Sequence, residues 1–335
     1  MRGRDAAGEA TGGDDGRGSA ARPAVSVVVA TRDRRQRLGR LLDALEAQTV
    51  GRSSFELIVI DDGSADGTSQ LLEGRVERLI RHEQSTGPAI ARQAGWQASR
   101  SDLIAFTDDD CRPEPDWLER ALVAHRDAPG SIVQGQTRPD PEEAHLLPDP
   151  LSRSIRVDGL GPFFQTCNVF YPKALLELTG GFDPTIPRPS VEDADLAMRA
   201  LATGCGAVYA EDAVVNHAVE VQPLAHAVRG ARRWASLIPL VERHPELRSA
   251  FPWRGLVWRE THARLLLAIA GLGLAGATGR KAFLLWVIPY LTLRHGWYPV
   301  SLLRTLRTLP KVAPVDLAEI AVLAKASVEG RRMLL

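Results

Sequence analysis

The sequence predicts an α/β fold: a mixed, mostly parallel sheet flanked by helices, followed by a C-terminal helical region. Three observations predict it. Apolar, β-branched runs alternate with helix-spaced leucines between residues 24 and 135. Polar side chains gather where three of those runs end, at Thr31-Arg32, Asp61-Asp62 and Asp108-Asp109-Asp110. Near Leu224 the texture changes, with frequent Arg and Trp and two long apolar runs. Strands alternating with helices at this spacing form βαβ units. Sheets of that kind bind ligands beyond the carboxyl ends of their strands.

The elements follow in order. Val25 to Ala30 is continuous and β-branched, as a strand covered on both faces should be. Leu38, Leu41, Leu42 and Leu45 then repeat at helical spacing. Phe55 to Ile60 is a second strand, ending in the polar turn Asp61-Asp62-Gly63-Ser64, and a helix is expected near Asp66. A weaker strand runs from Val76 to Arg81, and Gly87-Pro88 opens the next helix. Asp102 to Ala105 leads into the aspartate triplet, which Pro113 is expected to stop. A helix begins near Trp117 and a strand at Ser131. The Pro- and acid-rich stretch 139–150 reads as a mobile loop over the site. A strand is expected within Phe164 to Tyr171 and a short helix over Lys173 to Leu178, stopped by Gly180-Gly181. Ser190 reads as the N-cap of a helix with acids in its first turn. Strand-like segments at Ala207 to Ala210 and Ala213 to Val215 lead to Asn216-His217.

Composition narrows the function classes. The 335 residues are 44% hydrophobic and 24% charged with net charge zero, which gives no support for a general nucleic-acid binder. Three widely spaced cysteines without a C-x-x-C pair indicate neither a disulfide framework nor a zinc site, and a reducing, cytoplasmic setting follows. There is no G-x-G-x-x-G and no P-loop. The expected organisation is a disordered tail over 1–22, without the apolar run of a signal peptide, a catalytic domain over 23–222 and a helical region over 223–335. The runs Leu265 to Gly279 and Ala282 to Leu293 are shorter than the roughly 18–20 residues of a spanning helix. An interfacial pair fits them, with Arg254, Arg259, Arg264, Arg294 and Arg304 facing anionic headgroups; a soluble helical subdomain is the alternative.

Three adjacent carboxylates cannot all be buried unpaired, and a divalent cation is the cheapest way to hold them together. Mg²⁺ is held by one or two carboxylates plus substrate phosphates, so Asp108 to Asp110 reads as a strand end that carries a metal and a diphosphate.

The ordered motifs Val-Ser-Val-Val-Val-Ala-Thr-Arg-Asp-Arg at 25–34, Val-Ile-Asp-Asp-Gly-Ser at 59–64, Ala-Arg-Gln-Ala-Gly at 91–95, Phe-Thr-Asp-Asp-Asp at 106–110, Gly-Gly-Phe-Asp at 180–183 and Glu-Asp-Ala-Asp-Leu at 192–196 resemble family 2 glycosyltransferases of the GT-A fold. The resemblance covers about residues 24 to 217 and leaves the C-terminal third outside. It implies a metal-dependent, inverting transfer from a UDP-, GDP- or dTDP-sugar, with Mg²⁺ or Mn²⁺, to an acceptor hydroxyl; the apolar C-terminal runs, outside the resemblance, suggest a cell-envelope glycan or lipid-linked acceptor at the inner face of the cell membrane. By position, Thr31, Arg32, Asp61, Asp62, Arg92, Asp109 and Glu192 would bind the nucleotide sugar, and Gly180, Gly181 and Asp183 would lie near its sugar. Asp108 also joins that donor set and, with Asp110 and His217, would hold the metal; Asp193 matches the general base. Gln93 departs from the family's Ala-Arg-Asn. A sugar-nucleotidyltransferase would need a Gly-rich loop after the first strand, where no glycine occurs before Gly39. A non-catalytic sugar-nucleotide-binding protein would have no use for Asp193.

Overall fold

The computed structural model describes residues 22–186, 190–293, 302–330 and 333–334. The tail expected over 1–22 lies, Arg22 apart, outside the described residues, as does Arg294; the side chains of Arg254 and Arg304 lie outside them too.

The strands are β1 (Val25–Thr31), β2 (Phe55–Asp61), β3 (Arg78–Arg81), β4 (Leu103–Asp108), β5 (Cys111–Pro113), β6 (Ile132–Pro139), β7 (Ser152–Arg153), β8 (Asn168–Pro172), β9 (Ala207–His217) and β10 (Glu220–Val221). Eight form one sheet in the order β3-β2-β1-β4-β8-β6-β9-β5, and β7 pairs with β10 apart from it. The pairs from β3 through β4 are parallel, as is β6 with β9, while β8 runs antiparallel to both its neighbours. The register sets Thr31 beside Asp61 and Ala30 beside Asp108, so the polar ends of three strands line one edge. The triplet does not simply end a strand. Asp109 and Asp110 turn into β5, whose Cys111 pairs with His217.

The helices of the sheet domain are α1 (Arg35–Glu46), α2 (Thr68–Leu72), α3 (Pro88–Gln97), α4 (Trp117–Asp127), α5 (Lys173–Thr179) and α6 (Glu192–Leu201). The α1 leucines are buried against β1 and β2. On the other face α3 lies close to the sheet because of Gly95. A Cβ there would sit 2.4 Å from Val28 and 2.6 Å from Ile60. After the sheet come α7 (Leu224–Gly230), α8 (Leu237–Arg243), α9 (Pro252–Gly255), α10 (Glu260–Thr278), α11 (Ile288–Leu293) and α12 (Leu302–Glu329). Val191 and Ala194 at the start of α6 pack with Leu237, Ile238, Leu240 and Leu323, so this helix joins the sheet domain to the C-terminal region.

Two expectations are corrected here. The stretch 139–150 is a pinned segment rather than a loose loop, containing a 3-10 turn over Pro141–Leu146. Asp140 pairs with Arg40 and Arg112, and Glu143 with Arg37 and Arg40. Helix α10 begins at Glu260, earlier than the apolar run, and its 19 residues are long and apolar enough to cross a membrane. Its most apolar window is only 28% buried.

Candidate active site

At the sheet edge the three aspartates divide their work. Arg92, buried on α3, donates from Nη2 to Asp108 Oδ1 at 2.6 Å and from Nη1 to Glu192 Oε1 at 3.2 Å. Burial would lower the Arg92 pKa, but Asp108 and Glu192 outweigh it and raise it. Asp109 is buried; Thr31 Oγ1 donates to it at 2.8 Å and Arg34 Nη1 at 3.3 Å. Burial pushes its carboxyl up to about 7 against the attraction of Arg34, with the Asp110 charge adding to the rise. Asp110 Oδ2 accepts a bond from Arg34. Its Oδ1 is buried with no hydrogen-bond partner among the described residues and lies 3.5 Å from His217 Nε2.

This orphaned oxygen tests the fit of a divalent cation. His217 Nδ1 lies 2.9 Å from the Ala218 carbonyl, which can only accept, so Nδ1 is the donor and Nε2 is the nitrogen that a cation would take in the neutral ring. Cys111 is close enough to join Asp110 and His217 around one ion, but burial pushes its thiol up and sulfur is a soft ligand that suits Mg²⁺ and Mn²⁺ poorly. What is left is a carboxylate oxygen and an imidazole nitrogen, a donor set suited to Mn²⁺ or Mg²⁺ completed by phosphate oxygens. Of the expected metal residues, Asp110 and His217 converge, while one oxygen of Asp108 is committed to Arg92.

Asp108, Arg92, Glu192 and Asp193 face a cavity of about 620 Å³ that runs on to the C-terminal helices. Ser190 does not cap α6. Glu192 instead folds back so that Oε2 accepts the backbone N–H groups of Ser190 at 2.7 Å and Val191 at 3.1 Å. Asp193 is half-buried, and among the described residues its Oδ1 accepts only the N–H of Ala194, at 2.9 Å. Burial and the neighbouring Glu192 charge push its carboxyl well above the usual range, against the pull of Arg92. A helix N-terminus favours the ionised form, but here those two terms win. Asp195 points elsewhere and is fully buried among Arg199, Arg243 and His244.

Other expected site residues are not brought to this cavity. Asp61 accepts from Ser64 N–H at 2.8 Å and Ser69 Oγ at 2.6 Å. Asp62 accepts from Ser85, Gly87 and both donors of Thr86, and His82 Nδ1 lies 2.8 Å away. These bonds hold its pKa far below the carboxylate range although burial alone would raise it. In this geometry Asp62 fastens the loop after β3. Arg32 is exposed and reaches only Asp33, at 3.6 Å. Gly180 and Gly181 adopt φ values of 78° and 73° in a turn held by Gln93, and a Cβ on Gly181 would stand 2.3 Å from Gln93 Oε1. Asp183 pairs with Arg243 at 2.7 Å. Sequence reasoning missed Arg34, Arg153 and Arg233. Arg34 lies two residues past the flagged Thr31-Arg32, so proximity to a strand end was its only signal.

Residues 26–173 match the profile of glycosyl transferase family 2. The chain therefore carries a family 2 glycosyltransferase domain with the GT-A architecture. It is 27% identical over 208 residues to glycosyltransferase AglE of Haloferax volcanii, covering 58% of this chain and 67% of that one. It is 31% identical over 238 residues to the pre-mycofactocin glycosyltransferase of Mycobacterium tuberculosis, covering 66% and 48%. The chain thus spans between about half and two thirds of the length of the curated relatives it matches. Among solved structures, the mannosyltransferase PcManGT from Pyrobaculum calidifontis, in complex with GDP-Man and Mn²⁺, superposes with a TM-score of 0.64 at 21% identity, over 92% of this chain and 88% of that one. At that identity the likeness establishes the fold.

Proposed function

We propose that the chain moves a sugar from a nucleoside-diphosphate donor to an acceptor hydroxyl, inverting the anomeric carbon, with Asp193 as general base. The observation that carries this is the Asp193 carboxylate. It faces the cavity with one local backbone bond, next to Glu192, through which Arg92, 100 residues earlier than Glu192, ties the same helix to the aspartate edge. In the single displacement the acceptor O–H gives its proton to Asp193 and its oxygen attacks the anomeric carbon. The bond from that carbon to the phosphate oxygen breaks on the opposite side, and the nucleoside diphosphate departs with the electron pair. A raised carboxyl pKa suits a base that must accept a proton near neutrality.

Asp110 and His217 would hold Mg²⁺ or Mn²⁺, which when bound stabilises the charge on the leaving diphosphate. Arg92 fixes Asp108 and Glu192, and Thr31 and Arg34 fix Asp109. The GDP-Man and Mn²⁺ of the mannosyltransferase neighbour make that pair the first to test, beside UDP- and dTDP-sugars. The acceptor we propose is a glycan or lipid-linked intermediate at the cytoplasmic membrane face. Ile269, Leu272, Leu284, Leu285 and Ile288 are exposed on α10 and the segment after it, with Arg280 and Lys281 exposed between them. That combination suits an anionic lipid surface.

A panel of sugar nucleotides with Mn²⁺ or Mg²⁺, scored for nucleotide release and thermal stabilisation, tests the reading. At least one donor should stabilise the protein in a metal-dependent way and be turned over. A panel with neither effect overturns the proposal.

A further inference from the structure

The cavity changes character beyond Asp193. On the donor side each cation is matched: Arg34 bonds Asp109 and Asp110, and Arg92 bonds Asp108 and Glu192. On the C-terminal side Arg153 and Arg233 line the same cavity, and neither has an ion-pair partner within 4 Å among the described residues. Arg233 Nε is buried without a hydrogen-bond partner, and its guanidinium lies 4.7 Å from the centre of the Trp234 ring. The nearby Glu319 attracts Arg233 but makes no direct bond to it. Its oxygens are taken by Arg259 at 3.1 Å, His262 at 3.0 Å and Trp234 Nε1 at 3.0 Å. Burial, and then the like charge of Arg153, pull Arg233 down to about 10, against the attraction of Glu319. Arg153 is exposed, but Arg233 is half-buried, and an uncompensated guanidinium in a partly desolvated cavity is costly unless an anion joins it.

We infer that Arg153 and Arg233 form a seat for a phosphoryl group carried by the acceptor. Resting on the transferase reading, this makes the acceptor bifunctional, with a hydroxyl for Asp193 and a phosphoryl group for the two arginines. The planar guanidinium fork matches phosphate oxygens in paired hydrogen bonds. Trp234 and Trp258 also line the cavity and pack on each other, with Arg259 over both rings, so they form the apolar wall beside Arg233. The ligand class is a sugar phosphate, either free or linked through its phosphate to a lipid. Arg153 feels Asp110 and Asp108 as well as Glu220, so it stands nearer the aspartate edge, while Arg233 is next to Glu319 and Arg259. Arg233 is therefore the residue that distinguishes an acceptor seat from a donor contact.

The test uses the full chain with the donor site filled by saturating nucleoside diphosphate and Mn²⁺. Glucose 1-phosphate, inorganic phosphate and methyl glucoside are then titrated by calorimetry. Wild type should bind glucose 1-phosphate at least roughly tenfold more tightly than methyl glucoside. Arg233→Gln should weaken glucose 1-phosphate by roughly 10–100-fold, the worth of charged hydrogen bonds, with nucleoside-diphosphate affinity unchanged. Arg233→Lys and Arg153→Gln should weaken it less, and they serve if Arg233→Gln does not fold. Repeating the titration with a prenyl-linked glucosyl phosphate names the source: tighter binding than glucose 1-phosphate indicates a lipid-linked acceptor, weaker binding a free one, and both support the seat. Equal binding of glucose 1-phosphate and methyl glucoside overturns the inference. So does an Arg233→Gln variant that loses nucleoside diphosphate but keeps glucose 1-phosphate. If no nucleoside diphosphate binds at all, the transferase reading fails, while Arg233-dependent phosphate binding measured without nucleotide still upholds the seat.

Discussion

Asp193→Asn separates the base from the scaffold around it. The only hydrogen bond of the carboxylate among the described residues is from Ala194 N–H to Oδ1, and an asparagine oxygen keeps it. The substitution also removes a charge that Glu192 opposes and burial penalises, so the fold should be unchanged or slightly more stable. Donor affinity should hold, because Arg92 still bridges Asp108 and Glu192. Turnover should fall roughly 10²–10⁴-fold, the usual contribution of a positioned general base, or about 3–5 kcal/mol of barrier. The pH–rate profile gives a second readout. A base must be deprotonated to act, so activity should fall as pH drops, with the acid limb above the ordinary carboxylate range because the Asp193 pKa is raised. Glu192→Gln removes the like charge that helps hold it there and should move the limb to lower pH. Glu192→Gln also leaves buried Arg92 with one partner instead of two, so it should cost stability and donor affinity as well. The assay is transfer rate against pH for wild type and both variants, with donor affinity measured on each. If Asp193→Asn transfers at near wild-type rate while Glu192→Gln does not, the base is the other carboxylate. If both variants stay fully active, the mechanism is wrong.

Asp110→Asn and His217→Ala should each abolish the Mn²⁺-dependent part of nucleoside-diphosphate stabilisation in a thermal melt; a metal response that survives both would place the cation elsewhere. Asp195→Asn should destabilise the chain by about 1–3 kcal/mol through its lost charged hydrogen bonds, seen as a lower melting midpoint. Because its carboxylate pKa is lowered in the fold, that contribution is present above the ordinary carboxylate range and vanishes as pH falls below it, so wild type and variant should converge in acid. The full chain should sediment with anionic liposomes and be released by high salt. Retention that only detergent reverses would point to insertion of α10, and no sedimentation would remove the membrane from the proposal.

Much of the sheet was legible because its signals are local. The β-branched runs, the α1 leucines and the polar strand ends lie in continuous sequence, and β1, β2 and β4 form where they indicate. The segment 139–150 read as loose because its stabilising partners, Arg37, Arg40 and Arg112, are far away in sequence. Ser190 looked like a cap by type, but Glu192 supplies the acceptor by folding back, a rotamer choice that no spacing encodes. Arg34 acquires meaning only once β1 and β4 are neighbours and the turn at Asp109-Asp110 lies across from it. Arg153 and Arg233 carry no local pattern, since their significance is the lack of an ion-pair partner among the described residues.

The start of α6 shows why the acids at 192, 193 and 195 could not be ranked by type. All three occupy the first turn of one helix, where a dipole argument treats them alike. Side-chain direction separates them. Glu192 turns back to Arg92 and the backbone before the helix, and so locks the helix to the aspartate edge. Asp195 turns the other way and locks it to α8 through Arg243 and to the adjoining His244. Asp193, between them, is held by neither and is left facing the cavity. Its position is therefore fixed by its neighbours' commitments, one toward the donor half and one toward the C-terminal region. A change in that region, such as the loss of Arg243, should reach the chemistry by shifting α6 as a unit. Its expected signature is a fall in turnover that exceeds the loss of donor affinity, because Glu192 moves with the helix while the Arg92 bond to Asp108 stays in place.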